Sequence, residues 1–346
     1  MISMEFTSKY VHMLEGTSGG KGVAVKKAVS IPIPERSVRN GYIRNQEELS
    51  GMLMEALVEN EFHSKEIAFT IDSTALKIKQ ADIPFVSRDR ALQFVKRDFG
   101  SIVSDEEHLF DYTVQSTYKK GRLTQMKCTI YAIPRELLLE YSLLCKTLGL
   151  KLKRIDVLND AITKQLELEY PNVNKEEKRE RTQPQKKKKK SRKLKEESLV
   201  EDVFEVEDPT REFNMIKGPI RLWVGFYYEK LKLITNGING QIFVKTVMTE
   251  SLERNDEEEN EDKELIALCV NEIKKFIQFQ EEVSPDYPIE QIEVFGEHLL
   301  LNQICNVVSS FVKKSTIQLH CPRQVKGISD GEYARYVGGI GNLVRR

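Results

Sequence analysis

The chain has 346 residues, 40% of them apolar, and its 53 lysines and arginines cancel its 53 aspartates and glutamates. That is enough apolar material for two substantial cores, while zero net charge gives no general pull toward nucleic acid. No run approaches the roughly 18–20 apolar residues that a membrane-spanning helix needs, no basic-then-apolar leader opens the chain, and the five cysteines and five histidines show neither a CxxC pair nor ligand spacing.

In chain order, Ile2 to Gly16 (ISMEFTSKYVHMLEG) reads as a strand and hairpin. Gly16 to Gly22 (GTSGGKG) has a phosphate-loop flavour but lacks Ser or Thr after Lys21, so it reads as an exposed turn at a hairpin tip. Asn40-Gly41 signals a tight turn. Asn45 with Glu48 three residues on forms a capping box. It opens a helix from Glu47 to Asn60 with Leu49, Leu53, Ala56 and Leu57 on one face. Lys65–Ile71 and Ile78–Ile83 are strands, and Ser87 caps a helix running to Asp98. Phe110–Tyr118 and Met126–Ile133 form an antiparallel pair joined by Lys120-Gly121-Arg122. From Thr129 to Ile162 the pattern is strand, turn at Pro134, helix, stop at Gly149, strand, and a second helix start. That helix repeats Leu137, Leu138, Tyr141, Leu144, Cys145 and Leu148 at helical spacing.

Two charge runs interrupt this order. Lys175 to Glu197 carries five consecutive lysines (Lys186–Lys190) and almost nothing apolar, so it cannot offset its ordering entropy and reads as a disordered linker. Glu253 to Glu264 is acidic and reads the same way. A polybasic stretch is attracted to anionic lipid; no aromatics interleave these lysines for base stacking. Beyond the first run, Ile220 to Thr235 with Gln241 to Val247 reads as a hairpin turning at Asn236-Gly237, a copy of the Met4–Leu14 hairpin. A helix (Leu265–Gln280), a strand (Ile289–Gly296), a helix (Leu299–Lys313), a short strand (Thr316–His320) and a closing helix (Glu332–Leu343) follow. Gly338-Gly339-Ile340-Gly341 follows no strand, so it reads as close helix packing, not as a dinucleotide motif.

The segment TIYAIPRELLLEYSLLCKTLGLKLKRIDVLNDAI, the opening hairpin, the NGYIRNQEEL turn and helix start, the Asp82-Ile83-Pro84 junction and the closing EYARYVGGIGNL together resemble the PilM family, actin-like scaffolds of type IV pilus machines. The match is good over residues 2–168 and weaker beyond. The resemblance implies an α/β, actin-like fold: two ribonuclease-H-like halves around a cleft, with a small α+β subdomain inserted in the first half. On that reading, residues 1–83 and 155–172 form the first half, 84–154 the insert, 173–218 a basic linker and 219–346 the second half. The second half's extra subdomain is then reduced to an acidic linker, 250–264.

Actin-like ATPases hold Mg-ATP on two D-x-G hairpin turns and a Gly-rich turn, where Gly lets backbone N–H groups approach phosphate. At these positions the chain has Glu5-Phe6-Thr7, Gly225-Phe226-Tyr227 and Phe295-Gly296-Glu297-His298. Thr7 and Tyr227 put side chains at the close-approach positions, Gly225 lacks the carboxylate, and Glu297 opposes phosphate. The resemblance therefore implies a degenerate nucleotide site, no enzyme activity and no cofactor, ATP being the one candidate. It also implies a cytoplasmic adaptor at the inner face of the membrane, whose insert groove receives the tail of a PilN-like bitopic membrane protein. Tyr112, Val114, Tyr131 and Arg135 are the candidate groove residues. The alternative is a working actin-like ATPase akin to FtsA. No P-loop, G-x-S-x-G or H-E-x-x-H pattern adds another chemistry.

Overall fold

Each half opens with an apolar strand, a tight turn and a second apolar strand. The computed structural model describes residues 1–19, 22–169, 220–236, 242–249, 258–283, 285, 288–297 and 301–344. The basic run, the Asn236-Gly237 turn beyond Asn236, residues 250–257 of the acidic run, and His298 lie outside the described residues.

The first half runs β1 (Ile2–Phe6), β2 (Tyr10–Gly19), β3 (Gly22–Pro32), the small hairpin β4 (Val38–Arg39) and β5 (Tyr42–Ile43), α1 (Gln46–Glu59) and β6 (Glu66–Ile71). Next come β7 (Lys77–Pro84), α2 (Arg88–Phe99), β8 (His108–Lys120), β9 (Leu123–Pro134), α3 (Arg135–Thr147), β10 (Lys151–Val157) and α4 (Leu158–Glu169). Local chemistry follows the sequence closely here. Asn40 and Gly41 both take positive φ, as the tight β4–β5 turn requires. Asn45 Oδ1 accepts from the Glu48 N–H at 3.2 Å, capping α1. Gly149 turns left-handed just past α3.

The second half runs β11 (Ile220–Phe226), β12 (Lys230–Asn236), β13 (Ile242–Met248), α5 (Glu258–Val283), β14 (Ile289–Gly296), α6 (Leu301–Val312) and β15 (Ser315–Gln318), followed by β16 (Val325–Lys326), α7 (Asp330–Tyr333) and α8 (Val337–Leu343). The two main sheets repeat one plan. In the first, the β1-β2-β3 meander has β6 and then β10 added parallel beside β1; in the second, β11-β12-β13 has β14 and then β15 beside β11.

Several expectations are corrected. Ile220–Thr235 is not one arm of a hairpin but two antiparallel strands turning at Tyr227–Glu229, where the Tyr227 N–H closes the turn on Lys230 O. Among the described residues the acidic run is helical from Glu258, as part of α5. Only Thr249 to residue 257 separates β13 from α5, too little for a subdomain. The closing helix is broken into α7 and α8.

The insert is 77–134, not 84–154. Strands β7, β9 and β8 make a separate three-stranded sheet, with α2 on one face burying Ile83, Val95, Phe99, Cys128 and Ile130. By contrast α3 and β10 belong to the main body: β10 pairs with β6. Tyr141 of α3 sits edge-on to Phe69 at 5.0 Å, its hydroxyl donating to Gly41 O at 2.9 Å. Nor does the second half keep β16 and α8, although α7 stays with it through the Gly296 N–H on Ala334 O. β16 extends the first sheet beside β3, and α8 packs on α4 against β1, β2 and β6. The close-packing reading of the glycines holds: a Cβ on Gly339 would stand 2.6 Å from Leu14 Cδ1, and one on Gly341 would collide with the Ala161 carbonyl.

Candidate functional site

The register of the two sheets makes the halves superimposable residue by residue around the cleft. Glu5 pairs with His12 across β1–β2, and Gly225 pairs with Lys232 across β11–β12. The Thr7 N–H donates to Tyr10 O at 2.9 Å and the Tyr227 N–H to Lys230 O at 3.0 Å, so the two turns are equivalent. Beside them, Glu5 aligns with Thr70 on β6 and Gly225 with Phe295 on β14. Continuing each strand by two residues brings Asp72 and Glu297 to matching positions. Glu5-Phe6-Thr7 and Gly225-Phe226-Tyr227 therefore hold equivalent positions in the two turns.

Across the cleft these equivalent carboxylates reach into opposite halves. Asp72 receives Lys230 at 2.7 Å and Lys232 at 2.9 Å. Lys232 is buried and also donates to Asn159 Oδ1 at 2.9 Å, at the start of α4. In return, Glu297 accepts from Thr7 Oγ1 at 2.6 Å and from the Tyr228 N–H at 3.3 Å, and lies 3.5 Å from His12 Nε2. At the mouth, Tyr10 faces Tyr228 with ring centroids 6.2 Å apart, and Lys9 lies over the Tyr228 ring.

Burial would raise the Asp72 carboxyl, but Lys230 and Lys232 outweigh it and hold Asp72 below the usual carboxylate range. Burial lowers the Lys230 ammonium, and Asp72 more than restores it. Lys232, deeper and beside Lys230, stays lowered by burial. Glu5 differs in kind. Burial, reinforced by Glu297 and Asp72 and opposed by Lys230, pushes it up to about 8, so it holds its proton at neutral pH. Its Oε1 accepts from the Tyr227 hydroxyl at 3.5 Å, while Oε2 has no hydrogen-bond partner among the described residues and faces Gly338, where a Cβ would collide with it. Burial also pushes the Tyr227 phenol well above its ordinary value.

The turn N–H groups of Thr7 and Tyr227 are engaged within their own turns, and both facing lysines are paired with Asp72. Gly296, at φ +122°, lets β14 pass so close to the Phe226 carbonyl that any Cβ there would collide. The glycine thus serves contact between strands. Five residues here were not among the sequence candidates: His12, Asp72, Lys230, Lys232 and Asn159. A signal for three existed, since His12, Lys230 and Lys232 are polar interruptions of apolar strands (YVHML, KLKLI).

The groove candidates are not brought together. Tyr112 and Val114 share the α2 face of the inserted sheet; Arg88 lies over the Tyr112 ring, and Val114 is exposed. Tyr131 points to the opposite face, is buried against the main body, and its hydroxyl donates to Asp160 Oδ1 at 2.5 Å. Thr113 Oγ1 donates to the other oxygen at 3.2 Å, so Asp160 of α4 ties the insert to the body. Arg135 opens α3, exposed, with its N–H on Glu107 O. A register shift between Val114 and Ser116 separates Tyr112 from Tyr131: it pairs Tyr112 with Ile130 and Asp111 with Tyr131, so the two rings lie on opposite faces of the sheet.

No family model matches the chain, and no curated protein matches it. Among solved structures, it is similar to a PilM–PilN type IV pilus biogenesis complex, with a TM-score of 0.72 and 12% identity over 99% of this chain and 97% of that one. The chain has the actin-like fold of that complex. It is also similar to a Bacteroides thetaiotaomicron protein with an actin-like ATPase fold (TM-score 0.46, 8% identity, 100% of this chain and 95% of that chain). A third similar structure is the cytoplasmic domain of EpsL, an inner membrane component of the Vibrio cholerae type II secretion system (TM-score 0.37, 9% identity, 85% and 81%).

Proposed function

We propose that this chain is a divergent PilM-family protein, a cytoplasmic scaffold of a type IV pilus machine. Its first half would hold the cytoplasmic tail of a PilN-like bitopic membrane protein, and it would not turn over ATP. The observation that carries this reading is fold agreement along nearly the whole of both chains with a PilM–PilN complex, at a TM-score of 0.72. The cleft supports the second part. Thr7, Tyr227, Glu297 and the Asp72–lysine pairs occupy the space between the turns where phosphate would have to enter.

The binding surface follows from the corrected insert. On the sheet face opposite α2, Ile78 pairs with Tyr131 and Leu109 with Ile133, and both Ile78 and Leu109 are exposed beside the Asp160 tie. A short peptide added at the outer edge of β7 or β8 gains main-chain hydrogen bonds, with Ile78 or Leu109 adding selectivity. Titration of the chain with the N-terminal peptide of the PilN-like protein tests this. Ile78→Asp should weaken binding by about 1–3 kcal/mol, while Tyr112→Ala, on the α2 face, should leave it unchanged. No binding, or equal loss in both variants, overturns the reading. Mg-ATP should leave the melting temperature unchanged.

A further inference from the structure

The far end of the inserted sheet gathers positive charge on a projecting turn. Residues 112–134 contain Lys119, Lys120, Arg122 and Lys127 and no Asp or Glu, in a chain of zero net charge. Across the β8–β9 turn, Lys120 pairs with Leu123, leaving Gly121 (φ +64°) and Arg122 as a two-residue tip. Nothing lies within 4 Å of where a Cβ on Gly121 would stand, and residues 119–122 are exposed. Among the described residues, Lys119, Lys120 and Arg122 enter no ion pair. Lys127, further in, lies opposite Asp82.

Large apolar side chains share this end. Leu123 is 65% exposed, Tyr118 36% and Phe85 49%; the Phe85 N–H donates to Thr124 O at 3.0 Å, which fixes it beside the tip. An aliphatic and two aromatic side chains beside unpaired cations on a projecting turn are the combination that sits at a bilayer interface. Aromatics favour the headgroup level, and cations favour anionic lipid. A projecting tip has no walls to enclose a peptide. We propose that the β8–β9 hairpin tip is a membrane-contact element that seats Leu123, Tyr118 and Phe85 in the surface of an anionic bilayer. It does not depend on the adaptor reading, because peptide binding on the Ile78 face is measured without lipid.

The test uses the full chain with vesicles containing roughly one-third anionic lipid, brominated in the acyl chains. The run Lys186–Lys190 adds attraction of its own, so the deciding readout is local. Trp223, the chain's one tryptophan, is 2% exposed and serves as the unquenched reference. Leu123→Trp should be quenched on anionic vesicles and not on neutral ones. Adding Lys119→Ala, Lys120→Ala and Arg122→Ala should lower partition by roughly fivefold per cation and abolish the quenching, with an unchanged melting temperature confirming the fold. Vesicle-bound protein whose Trp at 123 is unquenched overturns the proposal, as does quenching that persists without the three cations. A response of that Trp to heparin but not to vesicles would assign the tip to a soluble acidic partner, and also overturns it.

Discussion

The two halves share a backbone register down to the turn hydrogen bonds, yet the side chains at matching positions differ almost everywhere. Glu5 matches Gly225, Thr7 matches Tyr227 and His12 matches Lys232, while Asp72 and Glu297 are both carboxylates. The duplicated geometry has been kept as architecture while the residues at its centre serve to lock one half onto the other. Each half contributes one carboxylate to its counterpart, but the two locks are unequal: Asp72 faces two ammonium groups, and Glu297 a hydroxyl, an imidazole and one amide.

That inequality gives the largest expected effect. Asp72→Ala leaves two buried lysines without a counter-charge and should cost about 3–5 kcal/mol, read from denaturant unfolding. Glu297→Ala, which strands only neutral donors and a histidine, should cost about 1–3 kcal/mol. Equal losses would break the comparison.

Next is the carboxylate the first half has and the second lacks. Burial and Glu297 raise Glu5 to about 8 in the folded chain, so the folded state binds the proton that the unfolded state releases from 4.5 upward. Its contribution to stability is therefore greatest below pH 4.5, falls as pH rises toward 8, and is flat above that. Glu5→Gln should be more stable than the parent at pH 8 by on the order of 4 kcal/mol, with the difference vanishing near pH 4. A pH-independent difference would show that Glu5 is not the titrating group.

The smallest effect concerns the insert, which only the first half carries. Tyr131→Phe removes the Asp160 hydrogen bond and should cost about 1 kcal/mol. Amide exchange should quicken in β9 and not in β14; uniform quickening would mean the insert is not a separate unit.

Much of this was legible in the sequence, and the reasons for what was not are physical. Strand–turn–helix periodicity gave β9, α3 and β10, because Pro134 and Gly149 punctuate them. The capped start of α1 was explicit in Asn45 and Glu48. Assigning α3 to the insert failed because periodicity shows that a helix has an apolar face but not which sheet it covers. The lock was missed for the same reason: Asp72 lies 158 residues before Lys230, and no local pattern couples them. Counting from the Lys120–Leu123 pair places Tyr112 opposite Tyr131, and only the register shift between Val114 and Ser116, which no sequence pattern announces, puts them on opposite faces.

The return of β16 and α8 into the first sheet has a consequence for assembly. Gly338 and Gly339 fill against Glu5 and Leu14, so the first half is finished by residues made after the entire second half. Contacts of such sequence separation form late and slowly. A nascent chain whose first half has emerged would hold β1 and β3 uncovered along one face and edge. Aggregation or chaperone capture at that stage should depend on how fast the closing residues arrive.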